Sequence, residues 1–225
     1  MPSELLLLIA IVGVCVVTVK ARRDHARQRA LRTGLFDSCV GLLDLGSVSF
    51  GEDGYPILEG RRLGKFIRAI FILDTMTIRR LPQLWLSVTR IEPRKGRPAF
   101  AALVRPAGTE FYSLSSTFPH RLDNPPNFPD EVLVRGSGEA AQTLLLRMED
   151  AIRKILLDPK IKEIAVTEKG LRVIWQAAEG RRGEHLILRQ SIFDNNTVSA
   201  EDFNQMLAHL DALSEAAATA DQVRT

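Results

Sequence analysis

Histidine, cysteine and the larger aromatics are scarce in this chain of 225 residues, which holds four His, two Cys, two Trp and two Tyr. Each scarcity excludes something. Cys15 lies inside an apolar run and Cys39 outside it, so the two do not pair and no disulfide framework exists, as expected in a reducing compartment. No Cys-x-x-Cys or Cys/His spacing suggests zinc. His25, His120, His185 and His209 are scattered, and none has a metal-ligand partner at helical or hairpin spacing. There is no G-x-S-x-G, P-loop, G-x-G-x-x-G or H-E-x-x-H. The sequence therefore predicts no catalytic residue, no metal and no cofactor, and leans away from an enzyme.

Excess charge is also nearly absent once its position is considered. The net charge is +3, but residues 20–32 carry six Lys/Arg against Asp24, a local +5. The remaining 24 basic and 26 acidic residues balance to −2. A nucleic-acid-binding domain carries its own basic face, so the distribution argues against that partner.

What is present begins with the run from Leu5 to Val19, LLLLIAIVGVCVVTV, which has no charged residue. Lys20, Arg22, Arg23, Arg27, Arg29 and Arg32 follow it. Fifteen residues span about 22 Å as a helix, short of the ~30 Å hydrocarbon core, and the flanks make up the difference by snorkelling. The positives sit on the wrong side for a signal peptide. Val14 before Cys15 excludes a lipoprotein site. The expectation is a single-pass anchor over 1–19 in a bacterial inner membrane. By the positive-inside rule the N-terminus is outside and the domain cytoplasmic. Residues 20–33 form a basic juxtamembrane segment, with Lys20, Arg22, Arg23 and Arg27 meeting anionic headgroups.

The rest, 34–215, reads as an α+β domain with a mostly antiparallel sheet and two amphipathic helices in its second half. Residues 34–45 favour a short helix, and 46–54 a strand or turn. A hairpin follows with arms at 55–58 and 65–73 around the turn G-R-R-L-G, then strands at 84–91 and 99–104. Residues 106–130 form a proline-marked connector, and a segment of that length is either functional or a sub-domain boundary. From Gly138 to Leu157, Ala141, Leu144, Leu145, Met148, Ile152, Ile155 and Leu156 share one helical face, with Ser137 as the expected N-cap. A hairpin is predicted over 161–177, with Gly170 in its turn, and a third strand over 185–190. Ser199 with Asp202 resembles a capping box for a last helix with Phe203, Met206, Leu207, Leu210 and Leu213 inward. The tail from Ala216 is expected to fray.

Two candidate contact sites stand out. In D-T-M-T-I-R-R-L-P-Q-L-W, Asp74, Arg79, Arg80 and Trp85 lie between two strands, and two arginines beside an acid and a Trp suit a carboxylate, a phosphate or a partner peptide. His120 sits in the connector between Pro119 and Arg121. Solvated arginines, a core-plugging Trp and a surface imidazole are the plainer readings. Gly136-Ser137-Gly138 could offer amides to an anion, although a plain helix start accounts for it.

The short N-terminal anchor, Y-P-I-L-E-G-R-R-L-G at 55–64, D-T-M-T-I-R-R-L-P-Q-L-W-L at 74–86 and the closing helix–hairpin unit together resemble a family of uncharacterised bacterial membrane-anchored proteins. That resemblance implies no activity, substrate or catalytic residue. The leading expectation is a membrane-tethered cytoplasmic interaction or scaffold module with a protein partner. The alternative is a membrane-anchored binder of, or enzyme on, a small or lipid-linked molecule, using a cleft near the 106–130 connector.

Overall fold

A computed structural model describes residues 11–20, 22–23, 32–75, 81–180, 193 and 198–222. Nine antiparallel strands form one sheet: β1 (Asp44–Phe50), β2 (Pro56–Arg62), β3 (Lys65–Asp74), β4 (Gln83–Ile91), β5 (Phe100–Val104), β6 (His120–Arg121), β7 (Val132–Gly136), β8 (Ile161–Thr167) and β9 (Gly170–Glu179). Their spatial order is β1-β2-β3-β4-β9-β8-β5-β7-β6. Strands from both halves of the chain therefore join in one sheet through the β4–β9 pairing. The expected α+β class and antiparallel sheet are both present.

The hairpin turn is tighter than the sequence suggested. Strands β2 and β3 run on to Arg62 and Lys65, leaving only Leu63 and Gly64, with φ of 51° and 74°. Two residues with positive φ make a turn whose twist matches the strands. At the β8–β9 turn, Gly170 has φ +152°, and a Cβ there would lie 2.0 Å from Arg90 O, so only glycine fits between the strands.

Three helices pack on one face of the sheet: α1 (Glu139–Arg147), α2 (Glu149–Leu156) and α3 (Ala200–Gln222). The single helix expected over 138–157 is broken at Met148, whose φ/ψ of −96°/4° leave the helical region. Ser137 does not cap it either, because its Oγ accepts the Ala99 N–H at 3.1 Å. Gly138, at φ 131°, takes the N-cap position. Half of the expected capping box of α3 is present: Asp202 N–H donates to Ser199 Oγ (3.0 Å), while Asp202 Oδ2 accepts the Ser199 hydroxyl (2.7 Å) in place of its backbone N–H. The tail does not fray at Ala216. Helix α3 continues to Gln222, with Ala217 and Ala220 buried and Arg147 Nη1 donating to Ala220 O at 2.8 Å.

The core lies between these helices and the sheet. Leu58, Ile67, Ala69, Phe71, Leu86, Val88, Val173, Ile164, Val166, Phe100 and Val134 meet Phe36, Leu145, Met148, Ile152, Phe203, Leu207 and Leu210. The short helix expected over 34–45 is reduced to turns and one 3-10 turn at Val40–Leu42, and Phe36 from this segment packs with its ring centre 4.9 Å from Phe71 and 6.2 Å from Phe203. At the margin of this face, Arg90 reaches Asp211 (2.6 Å) and Glu92 (3.2 Å), Arg97 reaches Glu92 (3.0 Å), and Ser214 donates to Glu92 (2.7 Å). This network ties α3 to the exit of β4. Burial would push the Glu92 carboxyl up, but the bonds from Ser214 and Arg97 and the charges of Arg97 and Arg90 outweigh it and hold it below the usual range.

Residues 11–20 are helical, and Ile11, Val12, Val14, Val16, Val17 and Val19 are exposed. Among the described residues no helix is long and apolar enough to cross a membrane, so the expected transmembrane helix has no support from the fold. Residues 5–10 of the proposed span, Leu5 included, lie outside the described residues, as do Arg27 and Arg29 of the collar and the strand expected over 185–190. Lys20, Arg22 and Arg23 are described and exposed.

Candidate functional site

The face of the sheet opposite the helices carries the polar chemistry. Along β4, Leu84, Leu86 and Val88 point to the helices, so Trp85, Ser87 and Thr89 point the other way. Trp85 packs with Tyr112, Ile174 and Ile72 in a second, smaller cluster, the Trp85 and Tyr112 rings 6.0 Å apart. Asp74, at the end of β3, is buried and accepts Trp85 Nε1–H at 3.4 Å. Two of the four residues proposed between β3 and β4 are thus together, but under cover. Arg79 and Arg80 lie outside the described residues.

What covers them is the connector. A register shift between Ile161 and Glu163 turns both Lys162 and Glu163 to this face, where regular alternation would have sent one into the helical core. Glu163, 0 % exposed, is paired with Arg172 and with Ser113 Oγ, and it accepts the Leu114 N–H at 3.1 Å. Lys162 Nζ donates to Glu110 Oε1 (2.8 Å), Arg105 O (2.8 Å) and Val104 O (3.0 Å). Burial would raise the Glu110 carboxyl, but the bonds from Lys162 and from Ala107 N–H outweigh it and hold it low. The connector is therefore pinned to the sheet by one buried ion pair, Lys162–Glu110, and by the bonds of Ser113, Leu114 and Tyr112 O to the Glu163–Arg172 pair within the sheet. Farther on, Arg135 Nε and Nη2 donate to Phe118 O (2.9 Å) and Pro119 O (3.0 Å). The connector is a fixed covering layer.

Within that layer one polar atom lacks a partner: Tyr112 Oη is buried and makes no hydrogen bond among the described residues. Burial first, then the charges of Asp74, Glu110 and Glu163, push its phenol far above the ordinary tyrosine value. The hydroxyl is neutral at every physiological pH and does not serve as a base.

His120 does not join this cluster. It is exposed on β6, five strands from Trp85, roughly 24 Å across the sheet at about 4.8 Å per strand. The acid–arginine–histidine convergence a catalytic cleft would need is not assembled among the described residues. Nor does any group of three or more His, Cys, Asp or Glu among them stand close enough to hold a metal. The anion reading of Gly136-Ser137-Gly138 loses the Ser137 amide, which donates to Ala99 O at 2.8 Å. An open groove of about 370 Å³ between Pro98, α1 and the end of α3 is lined by Glu139, Thr143, Leu144, Arg147 and Ala220, and Arg147 is already engaged by Ala220 O.

Sequence reasoning missed Lys162, Glu163, Arg172 and Glu110. The available signal was Lys162-Glu163 inside I-K-E-I-A-V, adjacent opposite charges in an apolar strand.

Among the described residues, one edge of the sheet remains unpartnered. Strand β1 forms an end of the sheet and is exposed on both sides, with Phe50 52 % and Val48 37 % exposed. Gly51 N–H donates to Tyr55 O at 3.0 Å, which fixes the alternation: Ser47 and Ser49 turn their amides to β2, and Val48 and Phe50 turn theirs outward. Between Leu45 and Gly51 there is no charge and no proline, the residues that usually protect an edge. The opposite end, β6, is two residues long, between Pro119 and Pro125.

No protein-family model matches the chain, and no curated protein matches it either.

Proposed function

We propose that this chain is a membrane-tethered module whose work is to bind protein, with β1 as its contact edge. The observation that carries this reading is the outer side of β1, unpartnered among the described residues: an uncharged run from Leu45 to Phe50 offering backbone donors and acceptors beside exposed Val48 and Phe50. Extended segments add to such edges through main-chain bonds, with alternate side chains setting preference. The tether is supported by the helical residues 11–20, whose valines and isoleucine are half-exposed or more, followed by Lys20, Arg22 and Arg23. Such a band is suited to lipid, with the basic residues at the headgroups on the cytoplasmic side of an inner membrane. The alternative, a ligand cleft beside the connector, has less support, because the charges there are committed to one another and His120 is remote.

A photoreactive amino acid at Phe50 tests the reading in native membranes, with the same group at Leu157, exposed on the helical layer, as the control. Position 50 is expected to give discrete protein adducts and position 157 none. Adducts absent at 50, or equal at both positions, overturn it.

A further inference from the structure

Resting on that reading, we infer that the occupant of the β1 edge is a second copy of this chain, β1 pairing antiparallel with its own equivalent about a two-fold axis through Ser49. The alternation established by Gly51 and Tyr55 sends the amides of Val48 and Phe50 outward. In an antiparallel pair centred on Ser49, Val48 of one copy stands opposite Phe50 of the other. Those are the two hydrogen-bonded positions, so each edge group meets a complementary one. The same alignment sets Ser47 against Gly51 and Gly46 against Glu52. No like charges face each other. Centring the axis on Val48 instead sets Phe50 against Gly46 at the register shift, and centring it on Phe50 sets Val48 against Glu52 in the turn. Ser49 is therefore the centre that pairs both outward-facing residues within the regular strand.

Side chains agree with the backbone. Val48 lies opposite Leu58, and Phe50 opposite Pro56, both buried on the helix-bearing side. The two exposed apolar residues thus stand on the core face, where the helical layer ends. Two-fold pairing sets Val48 and Phe50 of both copies side by side and continues the apolar layer across the junction. The far edge, β6, is too short to accept β1, so a head-to-tail array is not built and the pairing closes on itself.

The position of the tether fits the same axis. Arg32 Nη1 donates to Asp53 O at 3.1 Å, and its guanidinium lies 4.4 Å from the Tyr55 ring centre, so the chain joins the domain beside the β1–β2 turn. The coil over residues 34–43 then lies on the helix-bearing face, through Phe36 and Leu43. A two-fold axis normal to the sheet sends the two tethers off the same face, as two copies in one membrane require. A junction of five residue pairs is small for a stable soluble interface. Confinement to one membrane raises the effective concentration that such a junction needs.

Disulfide trapping of the full chain in native membranes tests this, in a Cys15→Ser background that leaves only buried Cys39. Across a non-hydrogen-bonded antiparallel pair, Cα atoms are about 4.5 Å apart, within disulfide range. Ser49→Cys is therefore expected to form a covalent homodimer on mild oxidation. Ser47→Cys sits two residues off the axis on each copy, about 13 Å from its equivalent at ~3.4 Å per residue, and is expected to stay monomeric. Adding Val48→Pro, which removes an outward N–H and no β1–β2 bond, is expected to cut the Ser49→Cys dimer at least tenfold while the melting transition stays cooperative. No dimer from Ser49→Cys, or equal dimer from Ser47→Cys, overturns the inference. If Ser49→Cys gives no dimer while the probe at Phe50 captures a different protein, the self-pairing falls and the contact-edge reading stands. If both fail, both fall.

Discussion

The two faces of the sheet are buried by opposite means. The helix-bearing face is filled with aliphatic and aromatic side chains and has its ion pairs only at its margin, around Glu92. The other face is covered around β4, β9 and β8 by an irregular connector that contributes Tyr112, Ser113 and Glu110 but few apolar side chains, and it is fastened by Lys162–Glu110 and by bonds to the Glu163–Arg172 pair of the sheet. Proline-rich coil has no apolar stripe to lay on a sheet, and its unpaired amides need acceptors. Glu163, reached by the Leu114 N–H, supplies one. Beneath the connector Trp85, Ile174 and Glu163 are buried, but the integrity of that cover depends on a few paired charges instead of many small contacts.

The largest effect that would test this difference is at Glu163. Glu163→Ala leaves Arg172 beneath the connector without its carboxylate, and breaking a buried pair in this way costs about 3–5 kcal/mol. That equals the cost of emptying the helical core by Phe203→Ala, also about 3–5 kcal/mol. The two are separable by rescue. Adding Arg172→Leu to Glu163→Ala is expected to recover part of the loss, because no charge is then left unpaired, although the Leu114 N–H, the Ser113 hydroxyl and the Tyr112 carbonyl lose these partners. No second substitution at a single neighbouring position refills the volume lost at Phe203. Urea unfolding of the three variants measures this, and a Glu163→Ala cost below about 1 kcal/mol would make the connector a detachable flap.

The helical face was legible in the sequence because its signal is repeated. Leu144, Leu145, Ile152 and Ile155 mark one helix stripe, and Phe203, Leu207 and Leu210 another, at 3.6-residue spacing, while Ile67, Ala69 and Phe71 alternate along a strand. Many residues vote for the same face, so the break at Met148 moved a boundary without moving the core. The connector face offered no such redundancy. Its key feature is one register shift in β8, and a bulge erases the alternation that a reader relies on. Asp74 and Trp85 were found as a pair, but as a contact site, because nothing local shows that residues 104–115 return to cover them. The edge strand β1 was read only as strand or turn. Its serines and glycines carry little β preference, and its place at the end of the sheet is set by the order of strands distant in sequence.

A smaller and more diffuse difference concerns acid. Burial pushes the His209 imidazole down, the charge of Asp158 opposing only in part, so the folded state prefers the neutral ring. Its folded pKa lies below the ordinary value near 6.5, so protons bind the unfolded chain more readily and stability falls as pH drops below about 6.5. Glu92 and Glu110 are held low in the fold, so their contribution is present above about pH 4.3 and is lost only as pH falls through their folded values. The melting temperature is therefore expected to decline in two stages on acidification, and His209→Gln should flatten the first stage while leaving the second. A single decline below about pH 4.3 in the parent chain would refute the histidine contribution.

The smallest expected effect has the opposite sign, and it probes how completely the connector face is satisfied. Tyr112 Oη is buried without a partner among the described residues, whereas the ring it belongs to packs on Trp85 and Ile174. Phenylalanine keeps that packing and removes the orphaned hydroxyl, whose desolvation costs roughly 1–3 kcal/mol when nothing replaces water. Relaxation around the site returns part of that, so Tyr112→Phe is expected to stabilise the chain by up to about 1 kcal/mol, read as a higher urea midpoint at an unchanged slope. On the helical face the equivalent deletion of one buried atom from a filled core can only lose contacts. A destabilised Tyr112→Phe would mean that the hydroxyl is engaged in solution, and the connector would then be held by a bond in addition to the Lys162–Glu110 pair and the bonds to Glu163.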